Sequence, residues 1–281
     1  MAKARRDAPN GALKIGELPE LHIVALDDMA LHEDPDIERV TRLLNDFSAD
    51  GVLRNPPVVG RANGSRRIVL DGANRVTALR KMGCRHVLVQ EIDLADPGLT
   101  LDSWHHAIEH LSPEDLLAHA RAIPGVSLQD GRADTARTLA RYTFADGSGA
   151  ALSGSQALLE RVEQLRQLTA AHHRVTFFDR VSYTDREHLQ RHYRNFTALM
   201  SFPQFTREDL VDITRRDQRL PSGVTRVLLP KRALRFNLQL QILLADLSVE
   251  EKDTWLQQNI RERVAAKAIR FYREPTFVFD E

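Results

Sequence analysis

Residues Leu70-Asp71-Gly72-Ala73-Asn74-Arg75 constrain this chain more than any other stretch. The β-rich run Arg67-Ile68-Val69-Leu70 stops at Asp71-Gly72. A helical pattern through Asn74, Arg75, Val76, Ala78 and Leu79 follows at once, with Gly83 as its stop. A strand that enters a helix through a glycine leaves free backbone N–H groups at the helix start, here those of Gly72, Ala73 and Asn74. Those groups and the helix dipole favour an anion, above all phosphate. Arg75, just inside the helix, is a bidentate phosphate ligand or else an exposed helix arginine. Asp71 can orient a hydroxyl, hold Mg2+ or cap the helix, and these roles are compatible.

The flanks of this turn build a compact α/β unit over roughly residues 20–95. Ile23 to Leu26 predicts a short strand. Asp34 reads as an N-cap with Pro35 at the first helical position. Ile37, Val40, Leu43, Leu44 and Phe47 share one face of the helix that follows, and Gly51 ends it. Val52 to Pro57 is a loop into the strand Val58-Val59, Asn63-Gly64 is a hairpin turn, and Ile68 to Leu70 is the returning strand. The strand His86 to Asp93 closes the unit. Further on, the spacing predicts a helix over Leu101 to Leu111, with Trp104, Ala107, Ile108 and Leu111 on its apolar side. Ser112 caps another helix. Arg141 to Phe144 and the turn Asp146 to Gly149 suggest a hairpin. Helices are predicted over 156–171, 206–216 and 248–269, strands over 174–178 and 224–229, and a β-rich tail over 271–279.

Composition narrows the function classes. The 281 residues suffice for one large or two smaller domains, and a formal net charge of zero argues against a charge-driven nucleic-acid binder. With a single cysteine, Cys84, neither an intrachain disulfide nor a multi-cysteine zinc site can form. Cys84 lies past the helix end, where a structural thiol is expected. His106 and His110 stand at i, i+4 with Glu109 between them. That spacing can bind a metal, but a solvated helix face is the plainer reading. Lys231, Arg232 and Arg235 read as solvated charge or a weak nucleic-acid patch. No apolar run is long enough to span a membrane, and the first residues carry charge without a signal core, so a cytoplasmic protein is expected.

Several motifs together resemble a known superfamily. Leu31-His32-Glu33, Leu53-Arg54-Asn55-Pro56-Pro57, Leu70 to Arg75, Trp104-His105, and Thr225-Arg226 with Pro230 to Asn237 look like the ParB/sulfiredoxin nucleotide-binding fold. Within it they are most similar to the free L-serine kinases of the staphylococcal siderophore-cluster and archaeal type. The resemblance implies an α/β (α+β) fold with a mixed helix/strand C-terminal region completing the site. It divides the chain into a disordered leader over 1–14, a nucleotide-binding domain over 15–98 and a substrate domain over 99–281. Sulfiredoxins place a catalytic cysteine after the glycine, where this chain has Ala73. ParB proteins carry Gly-Glu-Arg-Arg where this chain has Gly-Ala-Asn-Arg. The two sister activities are therefore disfavoured.

What the family would do here follows residue by residue. Glu33 would be the general base for the serine hydroxyl, and Asp71 would act with it and hold Mg2+. Leu53, Asn55, Gly72, Ala73, Asn74 and Arg75 would bind ATP or ADP. His32, Trp104, His105, Thr225 and Arg226 would bind L-serine. A histidine is expected after Thr-Arg, and Val227 stands there, which bears on acceptor choice. The product, O-phospho-L-serine, would supply siderophore, diaminopropionate or cysteine synthesis. The alternative is a ParB-like DNA-binding regulator responsive to nucleotide or metabolite. The oligomeric state is open, a homodimer included.

Overall fold

A computed structural model of the chain describes residues 15–62, 66–129, 137–173 and 178–272. The leader, the Asn63-Gly64 turn, most of the predicted strand over 174–178 and the tail beyond 272 lie outside these residues. The fold is mixed α/β. Its first part runs β1 (Glu20–Ala25), β2 (Met29–Leu31), α1 (Ile37–Asp50), β3 (Val52–Leu53), β4 (Val58–Arg61), β5 (Arg67–Asp71), α2 (Ala73–Lys81) and β6 (His86–Asp93). Five of these strands form one sheet in the order β1-β6-β4-β5-β2. β6 lies inside the sheet between β1 and β4 and is buried along nearly its whole length, which explains its unbroken apolar run Val87-Leu88-Val89. β4 and β5 form the expected antiparallel pair, with an irregularity between Val58 and Val59 that leaves one extra residue on β5, just before Asp71. Such a bulge re-aims the side chain beside it.

The second part runs β7 (Thr100–Ser103), β8 (His105–Glu109), α3 (Pro113–Arg121), β9 (Ser127–Gln129), β10 (Thr138–Phe144), β11 (Gly149–Ser153), α4 (Leu158–His173), β12 (Phe178–Val181), α5 (Arg186–His192), β13 (Phe196–Ser201) and α6 (Arg207–Arg215). It is built on a six-stranded sheet in the order β12-β8-β13-β10-β11-β9. β14 (Thr225–Leu228), β15 (Leu238–Gln239), α7 (Leu240–Leu244) and α8 (Val249–Ala265) complete the described chain. β14 pairs with β7, whereas β15 pairs with β3 of the first part. Phe236, Leu238, Leu240, Leu243, Leu256 and Ile260 share the core of the first sheet with Val40, Val76, Leu79 and Leu88. The described residues after 98 thus contribute to two cores, one around the second sheet and one under the first.

Three local expectations are corrected. The cap of α1 is Asp36, whose Oδ1 accepts from Arg39 N at 3.1 Å, and not Asp34. Asp34 does not cap: its Oδ2 accepts from Arg166 at 2.6 Å, and its backbone is held extended against Leu220, to whose carbonyl its N–H donates at 2.8 Å. Ile37, placed on the apolar face, is 62 % exposed at the first turn. The helix predicted over 101–111 is instead β7 and β8, broken at Trp104. Pairing with β14 on one side and with β12 and β13 on the other overrides its helical spacing. His106 is accordingly not on a solvated helix face. It is 1 % exposed, stacked on Phe178 at 4.4 Å and set edge-on to Phe202 at 4.8 Å. Among the described residues no group of three or more His, Cys, Asp or Glu side chains could hold a metal.

Candidate active site

A cleft of about 1020 Å3 opens between the two parts. That is at the upper end for small-molecule sites. Every residue expected in the site lines it except His105.

The nucleotide side is the β5–α2 turn. Gly72 has φ 99°, a left-handed conformation open to glycine, and an added Cβ would meet Pro57 at 3.0 Å. It caps α2 with no side-chain hydrogen bond, so the first-turn N–H groups are not occupied by a capping oxygen. Asn74 faces α1, and its Oδ1 accepts from Asp36 N at 2.8 Å. Arg75 is only 13 % exposed and already engaged: it donates to Asn55 O at 2.8 Å, Pro56 O at 3.2 Å and Asp71 Oδ2 at 2.8 Å. It ties the Leu53–Pro57 loop to the turn. Asn55 continues the link, its Oδ1 accepting from Arg235 N at 2.8 Å. Leu53 is fully buried beneath the loop.

Asp71 also accepts from Arg232 through Oδ2. Lys231 donates to Glu17 O at 2.6 Å. The basic cluster is therefore partly built into the structure and is not merely solvated charge. Burial raises the Asp71 carboxyl, but Arg75 and Arg232 outweigh it and hold it down at about 2. A carboxylate depressed below its ordinary 3.8 contributes stability that is complete above that value and is lost as pH falls toward about 2. Asp71→Asn is expected to flatten the acid limb of thermal stability between about pH 4 and pH 2. An acid limb identical to that of the parent protein would contradict this.

The opposite wall carries Glu33. The turn 221–224 precedes β14, and three successive N–H groups converge on the Glu33 carboxylate. Gly223 N donates to Oε2 at 3.1 Å, Val224 N to Oε1 at 3.1 Å and Thr225 N to Oε1 at 2.6 Å. The Thr225 hydroxyl donates to Oε1 at 2.6 Å. Successive N–H groups make an anion-holding nest, here filled by a side chain. Oε1 is saturated, whereas Oε2 has a single donor among the described residues and keeps a lone pair for a ligand in the cleft. His32 stands behind, with Nε2 at 2.6 Å from Thr225 Oγ1 and Nδ1 bonded to Val69 O. The Val69 carbonyl can only accept, so Nδ1 carries a proton. Glu33, Thr225 and His32 thus form one continuous hydrogen-bonded chain.

Trp104 and Arg226 lie together, the guanidinium 5.2 Å from the indole centroid and 3.5 Å from Asp102. Val227, where the resemblance calls for histidine, also lines the cleft. His105 begins β8 and does not line the cleft. Burial lowers its pKa, and among the described residues its Nδ1 has no hydrogen-bond partner. Sequence reasoning missed Arg180, Ser222, Gly223 and the α1 arginines Arg39 and Arg42, all of which line the cleft. The Ser222-Gly223 turn ahead of a strand was a usable signal, whereas Arg180 carries no local one.

No family model matches the chain. Over 262 residues it is 22 % identical to the ATP-dependent L-serine kinase SbnI of Staphylococcus aureus, covering 93 % of this chain and 97 % of that one. A C-terminally truncated SbnI structure superposes with a TM-score of 0.68 at 21 % identity, covering 89 % of this chain and 97 % of that one. A free serine kinase in complex with AMP superposes with a TM-score of 0.69 at 14 % identity, covering 80 % and 94 %. The chain has the fold of the free serine kinases. Within that fold the cleft joins a helix start free of side-chain caps on one wall to a carboxylate held by a backbone nest on the other.

Proposed function

We propose that the chain is a kinase for free L-serine, making O-phospho-L-serine from ATP or ADP in the cytoplasm. The observation that carries this reading is Glu33, immobilised on three backbone N–H groups with one oxygen left for a hydroxyl, across the cleft from the Gly72–Arg75 turn. The serine hydroxyl gives its proton to Glu33 as it attacks the terminal phosphoryl group in line, and Thr225 and His32 steady the carboxylate that receives it. The N–H groups of the α2 start hold the phosphates, Arg75 orders their loop, and Arg226 takes the serine carboxylate. Most of the rate enhancement in such a site is positioning and charge stabilisation.

Asp71 is the residue that would hold Mg2+. Both arginines bond its Oδ2, so Oδ1 has no protein partner among the described residues, and the carboxyl is ionised. One carboxylate suits a Mg2+ that arrives on nucleotide phosphates better than a resident ion in a protein cage. When bound, it neutralises phosphate charge. No described helix is long and apolar enough to cross a membrane.

Incubation of the protein with Mg2+, each of ATP and ADP, and each of L-serine, L-threonine and L-homoserine, read by mass, tests the proposal. O-phospho-L-serine is the expected product with at least one donor. Its absence with both would overturn the reading, and preference for another acceptor would point to Val227.

A further inference from the structure

Arg180 is a charged side chain of the cleft wall for which the scheme above has no task. It extends from β12, and its Nη2 donates to Ser222 Oγ at 3.2 Å. Among the described residues no carboxylate lies within ion-pair distance of it. The other cleft arginines contrast with this: Arg75 is 2.8 Å from Asp71 and Arg226 is 3.5 Å from Asp102. Burial pushes the Arg180 pKa down and Arg39 adds to this, with Glu33 and Asp36 pulling the other way. A guanidinium has five N–H donors. One that is half-buried with a single neutral partner is poised for an anion that enters from solution.

Its position says which anion. A Cβ built on Gly223 would collide with Arg180 Nε and Cζ, so the guanidinium lies directly against that glycine. The N–H of the same glycine donates to Glu33 Oε2 at 3.1 Å. Arg180 and the Glu33 carboxylate therefore flank one residue of the cleft wall. The hydroxyl oxygen that Glu33 deprotonates is the atom that receives the phosphoryl group. A phosphoryl group arriving there meets the negative Glu33 unless a cation stands beside it.

We propose that Arg180 grips the phosphoryl group on its acceptor side, during transfer and in the bound phosphate ester. This rests on the kinase reading. As the new P–O bond forms to the serine oxygen, the P–O bond to the departing nucleotide breaks, and the hydroxyl proton goes to Glu33. Arg180 stays protonated throughout and exchanges no proton.

The test measures binding as well as turnover, on the full chain. Binding of O-phospho-L-serine, L-serine and ADP is measured by calorimetry for the parent protein, Arg180→Met and Arg180→Lys, with thermal unfolding to verify the fold. Arg180→Met is expected to weaken O-phospho-L-serine at least tenfold while L-serine and ADP stay within about twofold. In steady state kcat should fall about 10²-fold with little change in the KM for serine. Arg180→Lys should recover part of both losses, and added guanidinium should partly restore Arg180→Ala. Equal weakening of L-serine and O-phospho-L-serine would place Arg180 on the amino-acid body and overturn the proposal, as would unchanged O-phospho-L-serine affinity. A parent protein that binds the phosphate ester through Arg180 but forms no product would refute the kinase reading alone.

Discussion

Glu33→Gln is expected to lower kcat by about 10³-fold while ADP and AMP bind with unchanged affinity. A positioned general base contributes on the order of 10²- to 10⁴-fold, and an amide cannot accept the hydroxyl proton. The nest makes this substitution more than a charge deletion. Three backbone N–H groups and the Thr225 hydroxyl point at the carboxylate. An amide oxygen can replace Oε1 against Val224 and Thr225, but its NH2 then confronts the Gly223 N–H. One unsatisfied buried donor costs about 1–3 kcal/mol, so a lower melting temperature should accompany the lost turnover. The measurement is steady-state kinetics with nucleotide titration and thermal unfolding on one preparation. A variant that retains more than a tenth of the parent kcat would remove Glu33 from the role of base.

Arg75→Ala should have the second-largest effect, a fall in nucleotide affinity of roughly 10- to 100-fold. The residue looks like a phosphate clamp in the sequence, but the structure occupies its guanidinium with Asn55 O, Pro56 O and Asp71. Its removal releases the Leu53–Pro57 loop and leaves Asp71 to Arg232. Charge-assisted bonds of this kind contribute about 1.5–3 kcal/mol each, so the substitution should also destabilise the fold. Arg75→Lys, with the charge but not the fork, should recover little of either. Calorimetric titration with ADP decides, because an unchanged Kd would show that neither the clamp nor the loop tie matters.

Much of the first part was legible because its signals are local. β6 spans His86–Asp93 as its sequence suggests, and the strand–glycine–helix turn at Gly72 has the left-handed φ that its position demands. Ser112 caps α3 as the sequence suggests, and the helix expected over 206–216 forms as α6, with Thr206 as its cap. Where reading failed, the deciding contacts were distant. Trp104 to Leu111 has helical spacing, yet strands about 70 to 120 residues away claim it. Asp34 and Asp36 flank one proline with equal capping chemistry, and Leu220 chooses between them.

The site divides along the same line. Backbone chemistry within a few residues determined the Gly72–Arg75 turn, because a glycine between strand and helix exposes N–H groups whatever surrounds it. Glu33 alone is an acidic residue before a helix. It becomes a held carboxylate with one oxygen to spare only because Gly223, Val224 and Thr225, about 190 positions away, fold their N–H groups around it. Arg180 and Arg232 acquire their partners, Ser222 and Asp71, in the same way, from segments that no local pattern connects to them. Local dihedral preferences and capping act over a few bonds and are written in short strings. The convergence of two walls on one cleft depends on packing between both cores, and this the tertiary structure alone decides.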